Sequence, residues 1–143
     1  MKIKLLIIGK IKKLIYKEKI KEYLKWINKD IPIELVILKD KNQNHLVSKI
    51  MSYSSYNFIV CCLSEEGLCM NSKKFSKFIY NSNKDLIFLV GGPDGLPKII
   101  KEKSDYVISL SHLTFTHEMS ILIITEQIFR AISIHKNSKY HRK

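Results

Sequence analysis

The stretch from Asp85 to His117, DLIFLVGGPDGLPKIIKEKSDYVISLSHLTFTH, decides the fold. Leu86 to Val90 is a continuous apolar run, which is typical of a strand buried on both faces. The run ends in Gly91–Gly95, where glycine permits positive φ and proline fixes φ at about −65°. Tyr106 to Ile108 predicts a second apolar strand, which leads into a loop of hydroxyl and leucine-sized side chains. We interpret the place where these two strands end as the active site.

Working outward from this stretch, apolar runs alternate with segments of helical periodicity. The predicted strands are Ile3–Ile8, Ile33–Leu38, Asn57–Leu63, Leu86–Val90 and Tyr106–Ser109. The predicted helices are Lys12–Asn28, a weaker one through Leu46, Ile50 and Met51, one N-capped by Ser72, Pro97–Lys103, and His117 to about His135. The alternation predicts an α/β domain with a mainly parallel sheet flanked by helices. Ligands bind at the carboxyl ends of such strands, so we expect the loops after Leu63, Gly91–Gly92 and Ser109–Ser111 to converge.

Composition favours one basic globular domain spanning residues 1–143. Hydrophobic residues make up 45% of the chain, enough for a sizeable core. The 25 Lys and Arg against 13 Asp and Glu give a formal charge of +12, which favours an anionic partner such as nucleic acid. The alternative is that lysines in this Ile-, Lys- and Asn-rich sequence only solvate the surface.

Neither a membrane nor an export route is indicated. The apolar runs fall far short of the roughly 20 residues needed to span a bilayer, and Leu5–Ile8 is too short for a signal peptide. Cys61, Cys62 and Cys69 form no paired CxxC pattern, and their odd number argues against a disulfide framework. We expect reduced thiols in a cytosol-like compartment, and no metal site.

The glycine-rich turn matches neither common nucleotide-binding motif. The Gly-x-Gly-x-x-Gly spacing of dinucleotide-binding sites is missing, which disfavours a doubly wound small-nucleotide enzyme. The turn is not a phosphate loop either, because no Gly-Lys-Ser/Thr follows it. An ordinary tight turn would use the same residues. The loop Ser109–His117 favours a site, because its backbone groups, hydroxyls and apolar side chains suit an uncharged purine ring.

Four blocks of residues carry a resemblance to a known family. They are Gly91-Gly92-Pro93-x-Gly95-Leu96, Ser109-Leu110-Ser111-x-Leu113-Thr114-Phe115-x-His117, Glu126-Gln127-x-x-Arg130-Ala131 and Tyr140-His141. In this order, over essentially the whole chain, they resemble the RlmH family of SPOUT-class methyltransferases, which modify large-subunit ribosomal RNA. Any one block alone would be a weak signal.

The resemblance implies a SPOUT-type α/β domain whose C-terminal part forms a trefoil knot, a rare exception to unknotted chains. It implies a cytoplasmic homodimer that uses S-adenosylmethionine (SAM) to methylate N3 of a pseudouridine in 23S rRNA on the ribosome, with the RNA site shared between subunits. By motif, the cofactor contacts would be Leu63, Gly91, Leu110, Ser111, His112, Leu113, Thr114 and Phe115.

The implied chemistry needs alignment of donor and acceptor and removal of one proton. His141 and His117 are the candidate bases, while Arg130 and Arg142 are candidates for gripping phosphate or stabilising the uracil anion. Tyr140 would stack on an exposed RNA base. For Arg130, a helix-surface ion pair with the glutamate four residues earlier is the alternative. His135 in a helix and His45 in a loop are interpreted as surface residues.

Some positions depart from the family pattern. Thr116 replaces a common proline, Ile121 replaces a usual helix arginine, and His112 fills a variable position. The loop after Leu63 lacks the lysine that often follows its glycine. The missing arginine at Ile121 is the best support for a second hypothesis, a non-catalytic basic RNA-binding or ribosome-assembly protein of the same fold.

Overall fold

The computed structural model describes residues 1–39, 42–53 and 57–142. Over these ranges five strands alternate with five helices, and we number both in chain order. The elements are β1 (Ile3–Ile8), α1 (Leu14–Ile27), β2 (Ile33–Leu38), α2 (Gln43–Tyr53), β3 (Phe58–Cys69), α3 (Ser72–Asn81), β4 (Asp85–Val90), α4 (Lys98–Lys103), β5 (Tyr106–Ser109) and α5 (His117–His135).

The strands form one sheet in the order β2-β1-β4-β3-β5, and every described pair of neighbours is parallel. This confirms the predicted mainly parallel sheet flanked by helices. β1 and β4 lie next to each other near the centre, and both are buried almost throughout, as their apolar runs predicted. The trefoil knot stays a prediction.

The helices cover both faces of the sheet because successive strand side chains point to opposite faces. On one face, Leu5 and Phe88 belong to a core that contains residues of α1, α3 and α5. On the other face, Leu6 and Leu89 pack with residues of α2 and α4. The result is a three-layer α/β/α arrangement in which all parallel strands end at the same edge.

β3 is longer than predicted. The Ser-Glu-Glu-Gly segment reads as a loop, yet the strand continues to Cys69 and pairs with β5 on both sides of that segment. Leu63 and Leu68 both oppose Ile108, so residues 64–67 bulge out of the ladder; we call them the β3 bulge. A Cβ atom on Gly67 would lie 2.5 Å from the carbonyl oxygen of Val107, so the position requires glycine.

Helix starts also differ from the sequence prediction. Asn71, and not Ser72, is the N-cap of α3, because its side chain accepts a hydrogen bond of 2.9 Å from the Lys74 N–H. The Ser72 hydroxyl instead donates to Gln127 of α5 at 2.8 Å. Thr116 caps α5 by accepting from the Met119 N–H at 3.4 Å, so it supplies a cap where the family has proline.

The remaining histidines and the cysteines lie in ordinary structural positions. His45 is exposed within α2 and not in a loop as predicted. His135 is exposed, and its ring stacks on Tyr80 with centroids 3.6 Å apart. Cys61 and Cys62 are buried free thiols, and burial raises the pKa of Cys62 to about 11. Within the described ranges, no helix is both long and apolar enough to cross a bilayer.

Candidate functional site

A cavity of about 1140 Å³ opens at the carboxyl edge of the sheet. Its walls come from the ends of β1, β3 and β4 and from the loop between β5 and α5. The lining includes Gly9, Leu63, Val90, Gly91, Gly92, Pro93, Leu96, Leu110, Ser111, Leu113, Thr114, Phe115 and His117. The three loops expected to converge therefore meet around one space.

The Gly91 turn presents backbone to this cavity. A Cβ atom on Gly91 would lie 2.9 Å from both the carbonyl carbon of Gly95 and a side-chain carbon of Leu96, so the turn has no room for a side chain there. Gly95 adopts φ +76°, a conformation that favours glycine, and its N–H donates to the Gly92 carbonyl at 2.9 Å. The turn is therefore closed on itself, with polar backbone groups at the cavity wall.

His117 anchors that turn from the start of α5. Its Nδ1 lies 2.8 Å from the Gly91 carbonyl oxygen, and because a carbonyl only accepts, Nδ1 must carry the proton. Nε2 is buried, and the described residues give it no hydrogen-bond partner. His117 therefore reaches the cavity wall through its contact with Gly91, and a role as base stays a prediction.

The loop after β5 is shaped by its own hydroxyl groups. Ser109 donates to the Ser111 carbonyl at 2.8 Å, and the Ser111 hydroxyl accepts from the Leu113 N–H at 3.0 Å. Leu113 is 72% exposed at the cavity mouth. These bonds shape the loop whose Leu110, Ser111 and Leu113 line the cavity.

His112 is placed differently from the other predicted cofactor residues. It is absent from the described cavity lining, and its Nε2 lies 3.6 Å from the sulfur of exposed Cys69 at the end of β3. Only its backbone belongs to the loop that forms the wall. Its cofactor contact stays a prediction that no side-chain geometry supports.

The sequence analysis missed the loop between β1 and α1. Lys10, Lys12, Lys13 and Tyr16 line the cavity beside Gly9. The Glu118 carboxylate accepts hydrogen bonds from the backbone N–H groups of Lys12 and Lys13, the latter at 3.2 Å, and the Lys12 bond is the main reason why the pKa of Glu118 is lowered. The signal was present, because Gly9 ends a strand that lies near the centre of a parallel sheet.

The tail residues form a second group, which we call the tail cluster: Glu126, Arg130, Tyr140 and His141. Arg130 binds the Glu126 carboxylate through Nε at 2.8 Å and Nη2 at 2.6 Å, so the alternative of an i,i+4 ion pair is confirmed. This hydrogen bond raises the pKa of Arg130. The Tyr140 hydroxyl donates to the same carboxylate at 3.0 Å, and burial raises the pKa of Tyr140.

The tail cluster also determines which ring nitrogen of neutral His141 carries the proton. Arg130 Nη1 lies 3.1 Å from His141 Nδ1, and because a guanidinium only donates, Nδ1 accepts and the neutral ring carries its proton on Nε2. The Arg130 group lies 4.8 Å above the Tyr140 ring, and Arg142 beyond it is exposed. As the structure describes it, the cavity lining includes neither the tail cluster nor Arg142.

The structure therefore divides the predicted residues into two sites on one chain. Tyr16 of α1 lines the cavity, while Tyr23 of the same helix contacts the Tyr140 hydroxyl at 3.3 Å. Tyr16 and Tyr23 are seven residues apart, so the two sites are separated by about 10 Å along this helix.

No three His, Cys, Asp or Glu side chains within the described ranges come close enough to hold a metal ion.

Comparisons with known proteins agree over nearly the full chain. The family model described as "Predicted SPOUT methyltransferase" matches residues 1–141. A protein of Prochlorococcus marinus strain MIT 9301, named ribosomal RNA large subunit methyltransferase H, is 49% identical over 138 residues, covering 94% of this chain and 91% of its own. A protein of the same name from Pseudothermotoga lettingae is 33% identical and is matched over 99% of both chains.

Solved structures share the fold at low sequence identity. A TrmH/SpoU tRNA modifying enzyme from A. aeolicus aligns with a TM-score of 0.58 at 14% identity, over 94% of this chain and 77% of that one. The SpoU methyltransferase AviRb from Streptomyces viridochromogenes, solved with AdoMet, aligns with a TM-score of 0.51 at 10% identity, over 95% and 58%. With family model, relatives and fold in agreement, this chain belongs to the SPOUT methyltransferases, in the family of the ribosomal RNA large subunit methyltransferases H.

Proposed function

We propose that this rRNA methyltransferase transfers a methyl group from SAM to N3 of a pseudouridine in 23S rRNA. The observation that carries the proposal is the single cavity that the Gly91 turn and the loop from Leu110 to His117 line together. The relatives are named for large-subunit rRNA, and an excess of 12 positive charges suits that polyanion. Such a substrate also favours the cytoplasm, where ribosomes are assembled.

The cavity residues offer both apolar and polar surface to SAM. Leu63, Leu110, Leu113 and Phe115 supply apolar surface for an adenine ring, while Ser111 and Thr114 add hydroxyls beside bare backbone. A volume of about 1140 Å³ leaves room for the acceptor base next to the donor. AviRb, which shares the fold, was solved with this cofactor.

When bound, SAM supplies a methyl group already activated by its sulfonium. The protein then has to hold pseudouridine N3 in line with that methyl group and accept the N3 proton. Glu126 holds the Arg130 guanidinium in place, and this cation would stabilise the uracil anion. His141 would serve as base only after releasing Arg130 from Nδ1; while that contact lasts, it donates through Nε2.

We infer a homodimer from the separation of the two sites. The tail cluster and the cavity lining share no residue in the structure described, although both are proposed to act on one nucleotide. We infer that the tail of a second copy approaches the cavity, in line with the shared RNA site that the family resemblance implies. Tyr140 and Arg142 would then contact the RNA beside it.

The alternative of a non-catalytic RNA-binding protein loses its main support in the structure. Ile121, where the family usually has arginine, is completely buried and belongs to the core formed with α1 and β1. The substitution therefore leaves no gap on an RNA-facing surface. The apolar, hydroxyl and backbone groups that line the cavity support a bound cofactor.

Two measurements test the proposed function. Calorimetry with SAM should show binding, and nucleoside mass spectrometry of 23S rRNA from a strain lacking this protein should show an unmethylated pseudouridine that the wild-type gene restores. Matched complementation with Arg130→Ala should leave the nucleoside unmethylated. No SAM binding at millimolar concentration, or unchanged methylation in the deletion strain, would overturn the proposal.

A further inference from the structure

The β3 bulge is held at several points although it leaves the strand ladder. At its base, Leu63 and Leu68 both pair with Ile108, and Gly67 presses against the backbone of Val107. The Glu66 N–H donates to the Ser64 hydroxyl at 3.3 Å. An excursion that is fixed at its base and turned by its own side chains has a defined direction, and this one points toward the cavity, which Ser64 and Glu65 line.

At its tip the bulge contacts the predicted cofactor loop. The Thr114 hydroxyl donates a hydrogen bond to the Glu65 carboxylate, across 49 residues of sequence. Both residues line the cavity, and both are exposed. The neighbouring Glu66 approaches a different residue of the cavity lining, Lys101, at 3.9 Å. Glu65 thus links the tip of the β3 bulge to the loop after β5 at the cavity wall.

We propose that Glu65 is a positioning residue for the methyl donor, because its carboxylate holds Thr114 and the loop around it in the arrangement that encloses the ligand. The inference rests on the proposed function and adds to it a residue outside the motifs that carry the family resemblance. Glu65 acts through Thr114, so its loss weakens donor binding and leaves the transfer step itself unchanged once the donor is bound.

The size of the effect follows from the exposure of the contact. One solvent-accessible hydrogen bond changes an affinity by roughly three- to tenfold. Glu65→Ala should therefore raise the Kd and the KM for SAM by roughly three- to tenfold, with kcat at saturating SAM unchanged. Glu65→Gln should bind SAM nearly as the wild type does, because its amide oxygen still accepts from the threonine hydroxyl.

A double-mutant cycle on the whole protein isolates the contact. Glu65→Ala, Thr114→Val and the double variant are compared by calorimetry with SAM, and thermal melting checks that all remain folded. If the contact carries the effect of Glu65, the double variant binds SAM about as weakly as Thr114→Val alone. Glu102→Ala is the control, since it removes an exposed carboxylate of α4 that is not part of the described cavity lining, and its SAM affinity should equal that of the wild type.

The outcomes separate this inference from the proposed function. Wild-type affinity in Glu65→Ala, additive losses in the double variant, or an equal loss in Glu102→Ala would overturn the role of Glu65 while SAM binding by the unaltered protein still stands. A fall in kcat alone would also overturn it, since positioning acts on binding. Absence of SAM binding by the unaltered protein would overturn the proposed function, and this inference with it.

Discussion

The cavity and the tail cluster are built from different materials. The cavity is formed by strand ends, glycine backbone and a hydroxyl-rich loop, all placed by the parallel sheet. The tail cluster consists of long charged and aromatic side chains on α5 and the segment after it, linked through the Glu126 carboxylate. The cavity depends on how the backbone folds, whereas the tail cluster depends on side-chain contacts that a bound RNA can replace. Variants that separate cofactor binding from catalysis test this contrast.

The largest effect is expected from Arg130→Ala. Loss of one cation that stabilises a developing anion lowers kcat by roughly 100-fold. SAM affinity should remain at the wild-type value, because Arg130 is outside the described cavity lining. Single-turnover methylation of ribosomes and calorimetry measure the two quantities. Arg130→Lys keeps the charge and loses the planar fork, so its kcat should lie between those of the wild type and Arg130→Ala. A parallel loss of SAM affinity would contradict the division into two sites.

Gly91→Ala should produce the reverse pattern. The new Cβ meets backbone and Leu96 at 2.9 Å, and overpacking of this kind costs about 1–3 kcal/mol. We expect SAM affinity to fall by roughly 5- to 150-fold by calorimetry, in proportion to that cost. His141→Ala serves as the comparison, with SAM affinity unchanged. Wild-type binding by Gly91→Ala would show that the turn does not form the cofactor wall.

A smaller effect is expected on stability from Tyr140→Phe. The substitution removes the hydroxyl contacts to Glu126 and Tyr23 and keeps the ring beneath Arg130. The free energy of unfolding in urea should fall by about 0.5–1 kcal/mol, with SAM binding unchanged. Tyr106→Phe, whose ring packs on Phe78, is the control for loss of a tyrosine hydroxyl. An equal change in both variants would argue against a specific tail cluster.

The smallest effect concerns Glu118 and pH. Its pKa in the folded protein is lowered, first by the Lys12 N–H, so its contribution to stability is complete above the unfolded value of about 4.3 and is lost as pH falls toward the lower folded value. Glu118→Gln should therefore flatten the decline of Tm between about pH 5 and pH 3. Glu22→Gln removes an exposed carboxylate on α1 and should leave the slope as in the wild type. Identical slopes for all three proteins would contradict the prediction.

The sequence was sufficient for features that depend on short-range pattern. Strands β1 and β2 and the extent of α5 match their predicted bounds, because apolar runs and helical periodicity define them locally. β3 was underestimated because a Glu-Glu-Gly segment has the composition of a loop, and only its pairing with Ile108 keeps it within the strand. Tertiary pairing of this kind leaves no periodic signal.

For the candidate site, the convergence of strand ends followed from topology, whereas individual side chains did not. His112 belongs to the right loop, but its side chain turns to Cys69, a contact that brings together two distant segments. The Lys10–Lys13 segment was overlooked although Gly9 marks a strand end. Motif matching therefore identified loops better than it identified the side chains within them.

The position of β1 in the sheet has a consequence for biosynthesis. This strand is made well before β4, with which it pairs, and the Lys2 N–H donates to Asp85, 83 positions later. The sheet therefore cannot close while the ribosome is still translating the first half of the message. A nascent chain in which the apolar strand β1 is still unpaired is prone to aggregate. We therefore expect release from the ribosome, and not early elongation, to limit the appearance of native protein.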